Sequence, residues 1–188
     1  MKTIAIKDLM VPLEEYATVS DEATLFEAVS TLENAQESLD REKYLYLHRA
    51  ILVYDKNNKI VGKISQLDIL RALEPKYENL GDLGKLSRTG FSPRFLKTML
   101  KQEALWDSPL RDICTKAGSY KVKSFMYVPT EGEYIAEEAS LDEAIHLLVM
   151  GHHQSLLVTR GKDKEIVGIL RLTDVFAEVF QIMKTCEI

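Results

Sequence analysis

The chain has 188 residues, of which 46% are hydrophobic and 28% charged, with 24 Lys+Arg against 29 Asp+Glu and a net charge of −5. That length supports one or two small domains with a real core, and the composition excludes wholesale disorder. No apolar run reaches the roughly 18–20 residues of a membrane span. Met1-Lys2-Thr3-Ile4-Ala5-Ile6-Lys7-Asp8 lacks the apolar centre of a signal peptide. Cys114 and Cys186 are too few for a disulfide framework or a structural zinc site. The expected setting is the reducing cytoplasm.

In chain order, Thr24-Leu25-Phe26-Glu27 is a capping-box pattern. Leu25, Ala28, Val29 and Leu32 continue it as one apolar helical face. Ala50-Ile51-Leu52-Val53-Tyr54 and Ile60-Val61-Gly62-Lys63-Ile64 flank the polar turn Asp55-Lys56-Asn57-Asn58-Lys59 and predict a hairpin. A closing helix follows through Leu67, Leu70 and Leu73. Ser92-Pro93 reads as an N-cap with proline at the first helical position, ahead of the stripe Phe95, Leu96, Met99 and Leu100. Ser108-Pro109 predicts a second, shorter helix through Leu110 and Ile113. Ser140-Leu141-Asp142-Glu143 opens another helix, with Leu141, Ala144, Ile145 and Leu148 on one face and Gly151 as its expected C-terminal cap. Ser155–Thr159 and Ile166–Leu170 predict a second hairpin, and Val175, Phe176, Val179 and Phe180 a last helix.

The second half repeats the first. At an offset of 116, Glu22, Ala23, Leu25, Glu27 and Ala28 meet identical residues at Glu138, Ala139, Leu141, Glu143 and Ala144, and Met10 meets Met126. Further on, Ile60-Val61-Gly62 meets Ile166-Val167-Gly168 at an offset of 106, and Asp68 meets Asp174. The first copy therefore carries extra residues, for which Gln36 to Tyr46 is the natural place. The copies cover roughly 4–74 and 120–183. The expected division is 1–75, a helical insert over 76–119, and 120–188. Each unit runs strand–helix–strand–strand–helix. The predicted fold class is α/β, with two units packed sheet to sheet.

This order resembles the cystathionine-β-synthase (CBS) domain, and its duplication resembles a Bateman module. The marks are Lys7-Asp8-Leu9-Met10, Glu27-Ala28 and Glu143-Ala144 in the capped helices, His48-Arg49 leading a strand, and Gly-x-x-Ser-x-x-Asp over residues 62–68. The resemblance implies pseudo-twofold packing of the two repeats and a homodimer. It implies a regulatory role, with no cofactor required, in which AMP, ADP, ATP or S-adenosylmethionine binds between the repeats and an unidentified protein partner responds. Ala17 and Thr18 would line the adenine slot together with strand residues such as Ile64. Ser65 and Asp68 would contact phosphate and ribose.

The residues themselves leave two readings at each place. Ser65 at a helix start adds a hydroxyl to exposed N–H groups that favour phosphate, and Asp68 suits a vicinal diol. Ser65-Gln66-Leu67-Asp68 is equally a capping box that needs no ligand. By the resemblance Arg49 would reach phosphate, and by itself it is equally a solvated strand-end charge; Gln154 stands in its place in the second copy. Arg171 departs from the pattern by standing where Ser65 stands in the first copy. With Asp174 it would hold a second ligand, block the site, or pair with a neighbour. His152-His153 lacks a third nearby metal ligand. No phosphate loop, Cys-x-x-Cys or His-Glu-x-x-His is present, so no catalytic or metal residues are expected.

Residues 76–123 hold ten Lys/Arg and five Asp/Glu, a net of +5, which leaves 14 against 24, a net of −10, elsewhere. The insert faces an acidic partner or ligand phosphates, or it is an amphipathic cover with solvated charges. Two rivals to the sensor stand: an interaction module with empty clefts, and a DNA-binding regulator using the basic insert. The latter is disfavoured, because bases and aromatics do not interleave there.

Overall fold

Thr24 shows how directly the first helix follows from its sequence. Its hydroxyl accepts from the Glu27 N–H at 3.2 Å, and the Glu27 carboxylate accepts from the Thr24 N–H at 2.6 Å. The computed structural model describes residues 4–40, 42, 44, 46–74, 76–77, 92–105 and 112–185. From this cap α1 runs Leu25–Glu37 and buries Leu25, Ala28 and Leu32, while Val29 stays 40% exposed. The other helices are α2 (Gln66–Leu73), α3 (Pro93–Gln102), α4 (Ile113–Ser119), α5 (Leu141–Gly151) and α6 (Leu172–Lys184).

The strands are β1 (Val11–Pro12), β2 (Thr18–Ser20), β3 (Ala50–Tyr54), β4 (Ile60–Ser65), β5 (Tyr134–Ala136), β6 (Ser155–Arg160) and β7 (Glu165–Arg171). They form a sheet of order β2-β3-β4 and another of order β1-β7-β6-β5. In both, a parallel pair is followed by an antiparallel hairpin. The first hairpin turn is held by Asp55, whose carboxylate accepts from the N–H groups of Asn57 and Lys59. The helix-facing sides of the sheets carry separate cores. Ala28, Leu32, Ile51, Val53 and Ile64 make one, and Ala144, Leu148, Leu156, Val158 and Leu170 the other. A third cluster joins the sheets, with Leu52 and Leu157 both buried in it beside Val11, Tyr16 and Ile169. This is the expected α/β pair of repeats about a pseudo-twofold.

The repeats exchange their leading segments. The Leu141 N–H donates to the Ile4 carbonyl and the Ile6 N–H to the Ala139 carbonyl. In the mirror arrangement Leu25 donates to Tyr120 and Val122 to Ala23. Ile6 is accordingly buried in the second repeat's core and Val122 in the first's. The exchange continues as β1 pairs with β7 and Tyr127 pairs with Lys63 of β4. The second strand of each hairpin, β4 or β7, has a neighbour on one side alone within its own repeat, and the other repeat's leading segment pairs with its open side.

The extra residues of the first copy lie between its first helix and second strand: residues 38–49 separate α1 from β3, whereas only 152–154 separate α5 from β6. Gly151 is not the left-handed cap of α5. His152 takes that conformation at φ 53°. A Cβ on Gly151 would stand 2.0 Å from His153 Nε2, the tip of a side chain that would have to turn aside.

In the insert, Ser92 caps α3 as its sequence predicts, accepting from the Phe95 N–H at 3.2 Å. Phe95, Leu96 and Leu100 stay about half exposed. The Lys76 ammonium ties the end of this helix down by donating to the Glu103 and Ala104 carbonyls. The helix α4 packs on α1 and α2, and Lys116 within it donates to the Leu73 carbonyl. The expected start of that helix at Ser108-Pro109 lies outside the described residues. Among the described residues no helix is long and apolar enough to cross a membrane.

Candidate functional site

The pseudo-twofold creates two junctions between the repeats, each at the head of a closing helix. At the first, β4 leads into α2. Ser65 caps the helix, accepting from the Asp68 N–H at 3.3 Å, while the Asp68 carboxylate accepts from the Ser65 N–H at 2.8 Å and from its hydroxyl at 2.6 Å. The capping reading of these residues is therefore realised. It occupies one carboxylate oxygen of Asp68; among the described residues the other meets Arg71 at 3.5 Å, and that arginine's side chain is half exposed.

Arg49 joins this corner through the sheet. Ala50 pairs with Ser65, and the Arg49 carbonyl accepts from the Gln66 N–H at 3.3 Å, with its side chain exposed. Ala17 and Thr18 lie on the far side of β3, where Thr18 pairs with Leu52 and the Ala17 carbonyl accepts from the Leu52 N–H. Two strand spacings, about 10 Å, separate them from Ser65. The side chains of Ala17 and Ile64 belong to the first repeat's core, so these two residues offer a neighbouring ligand only backbone.

Across this junction stands Glu133, 2% exposed, from the second repeat. It accepts from Lys63 of β4 at 2.5 Å, from the Tyr127 hydroxyl at 2.5 Å and from the Thr130 N–H at 3.1 Å. Burial pushes its carboxyl up, but these donors more than offset that and hold it below the usual carboxylate range. The Tyr127 hydroxyl is pushed up to about 12, by burial and by its bond to Glu133. The sequence pattern Thr130-x-x-Glu133 signals a local cap. Nothing local signals Lys63, 70 residues away.

The second junction is built differently. Arg171 holds the position equivalent to Ser65 and is 4% exposed. It does not cap α6. Its Nε and Nη2 donate to the two Asp174 oxygens at 2.5 and 2.7 Å. Its Nη1 crosses to the first repeat, 3.0 Å from the Tyr46 carbonyl and 3.3 Å from His48 Nδ1. The guanidinium also lies 5.5 Å from the Tyr44 ring centre, and the Tyr16 ring meets His48 edge-on at 4.5 Å. Desolvation, then the nearby guanidinium, lowers the His48 pKa to about 4, so the imidazole is neutral and accepts at Nδ1. The Tyr16 hydroxyl is driven well above its ordinary value by burial.

The structure thus gathers Arg49, Ser65 and Asp68 at one corner and Arg171 with Asp174 at the other. Lys63, Glu133 and Tyr127 are the further polar residues of the first junction, and Tyr44, Tyr46 and His48 those of the second. Among the described residues no His, Cys, Asp and Glu cluster could hold a metal ion.

Comparison with known proteins agrees with this architecture. Among solved structures, CBSX2 from Arabidopsis thaliana, a CBS-pair protein, is 17% identical with a TM-score of 0.62, over 98% of this chain and all of that one. CBSX2 in complex with AMP is 18% identical with a TM-score of 0.56, over 95% and 98% of the two chains. A CBS domain-containing protein of unknown function from Bacillus anthracis is 18% identical with a TM-score of 0.60, over 95% and 94%. Among curated proteins none matches significantly. The CBS-domain family model matches residues 6–75 and 122–181, more than half of the chain, and these are the two halves that trade their leading segments; the chain belongs to the CBS-domain family as a tandem CBS protein.

Proposed function

We propose that this chain is a regulatory module that senses an adenine nucleotide, of the AMP, ADP or ATP class or as S-adenosylmethionine, at the junction headed by Ser65 and Asp68. The observation that carries the reading is the contrast between the two helix heads. Among the described residues Asp68 keeps one oxygen whose contact is a long one to an exposed arginine, beside an exposed Arg49. Asp174 has both oxygens taken by a buried arginine. A ribose diol would meet Asp68 and phosphate would meet the α2 N-terminus, Ser65 and Arg49. The AMP complex of CBSX2 supports the ligand class. The module acts by population shift, with no bond made or broken: ligand that favours one arrangement of the repeats stabilises it.

The test is calorimetric titration and thermal denaturation with AMP, ADP, ATP and S-adenosylmethionine. Saturation at 100 times Kd stabilises the fold by about 2.7 kcal/mol, and Asp68→Ala weakens binding at least tenfold. No binding by any of the four sinks the reading and leaves an interaction module.

The partner is a second copy of the chain. Phe176, Phe180 and Met183 form an exposed row on α6, with the two Phe rings parallel at 6.3 Å. Phe26 and Val29 of α1 and Leu67 and Leu70 of α2 are exposed likewise on the first repeat. Sedimentation should give a dimer, and Phe176→Glu with Phe180→Glu a monomer.

A further inference from the structure

We propose that Arg171 is a permanent, built-in occupant of the second junction, so that the chain takes one nucleotide rather than two. This rests on the nucleotide reading above, and deepens it by fixing the stoichiometry and naming the residue that sets it. The pseudo-twofold places Arg171 where Ser65 stands and Asp174 where Asp68 stands. At the first head a small hydroxyl engages one carboxylate oxygen, and the other has, among the described residues, a 3.5 Å contact with Arg71. At the second, a planar guanidinium presents its fork to the whole carboxylate, and a diol finds no oxygen to donate to.

The guanidinium is held from both repeats. Its own repeat supplies Asp174. The other supplies the Tyr46 carbonyl, His48 Nδ1 and the face of Tyr44. Those three residues lie in the segment 38–49, which has only 152–154 as its counterpart. The long segment and the arginine are thus two departures from internal symmetry that meet at one point and complete each other. At the symmetric position of the first junction stands His153, with its ring over Gly151. Expelling Arg171 would strand a buried cation away from four acceptor contacts, a cost a cleft-bound ligand cannot recover from Asp174 alone.

The experiment is calorimetric stoichiometry with AMP and with ATP on the full chain, its Arg171→Ser variant and its Asp68→Ala variant. The expected result is one nucleotide per wild-type chain, none for Asp68→Ala, and two for Arg171→Ser. A folded Arg171→Ser that still binds one overturns the lock and leaves the first site standing. A wild type that binds two, or an Asp68→Ala that keeps a tight site, overturns it without use of the arginine variant, should that variant fail to fold. A wild type that binds none while Arg171→Ser binds one sinks the reading of the first junction and upholds the lock. Absence of binding by both sinks both.

Discussion

The Val11 carbonyl lies so close over Gly168 that a Cβ built on the glycine would stand 2.5 Å from its oxygen. Gly62 has the matching relationship to the other leading segment, with Met126 Sδ at 2.8 Å and the Tyr127 carbonyl at 3.1 Å. The two glycines mark where each exchanged segment crosses its host. At Gly168 the obstacle is backbone, which cannot turn aside; at Gly62 it is first a flexible thioether. Gly168→Ala should therefore cost about 2–3 kcal/mol and Gly62→Ala about 1 kcal/mol. Urea denaturation of the two variants checks the order, and equal losses would contradict it.

The Lys63–Glu133 pair joins the repeats in a site where both side chains are largely buried. Lys63→Met leaves Glu133 without its cation and should cost about 3–5 kcal/mol. Lys63→Met with Glu133→Leu should recover most of that, because no uncompensated charge remains. A double-mutant cycle by chemical denaturation reads the coupling. The Glu133 carboxyl is held below its ordinary value, so its contribution is present above the unfolded carboxylate pKa. It is lost as pH falls through the folded value.

His48 gives stability a second acid limb. Its folded pKa of about 4 lies below the ordinary histidine value of 6.5. Below 6.5 the unfolded chain takes up a proton that the folded chain refuses, so stability falls as pH drops from 6.5 towards 4. Arg171 and Asp174 face the ring, and the guanidinium outweighs the carboxylate in its effect. At pH 5 the loss relative to pH 8 is about 2 kcal/mol from this group. His48→Gln, which keeps a side-chain acceptor for Arg171, should flatten the thermal-stability profile between pH 5 and 7. An unchanged profile would show that the histidine is not the titrating group.

Much of the fold was legible because its signals are local. The capping boxes at Thr24 and Ser65, the Asp55 turn and the apolar faces of α1 and α5 each act within a few residues. The duplication then paired them. What escaped is contact between residues far apart in the chain. Gly62 and Gly168 were visible as a repeated pair, and Met10 and Met126 as another, but one-dimensional alignment cannot show that each methionine lies over the other repeat's glycine. Gly151 reads as a cap from residue type, but the left-handed turn falls one residue later, on His152. Arg171 stood out as a break in the pattern. Its partners did not, because Tyr46 acts through a carbonyl that any residue would carry.

The exchanged leading segments also govern what would happen if the chain were severed between α2 and α4. The amino-terminal piece would keep Ile6 and Val11, which complete the other piece, and the carboxy-terminal piece would keep Val122 and Tyr127, which complete the first. The carboxy-terminal fragment would lack β1 of its four-stranded sheet, and the amino-terminal one the Tyr127 bridge to β4. Co-expressed, they would reassemble as obligate complements; apart, each would expose an unfilled groove shaped for the other, so a nick there would convert one polypeptide into a heterodimer without dismantling it.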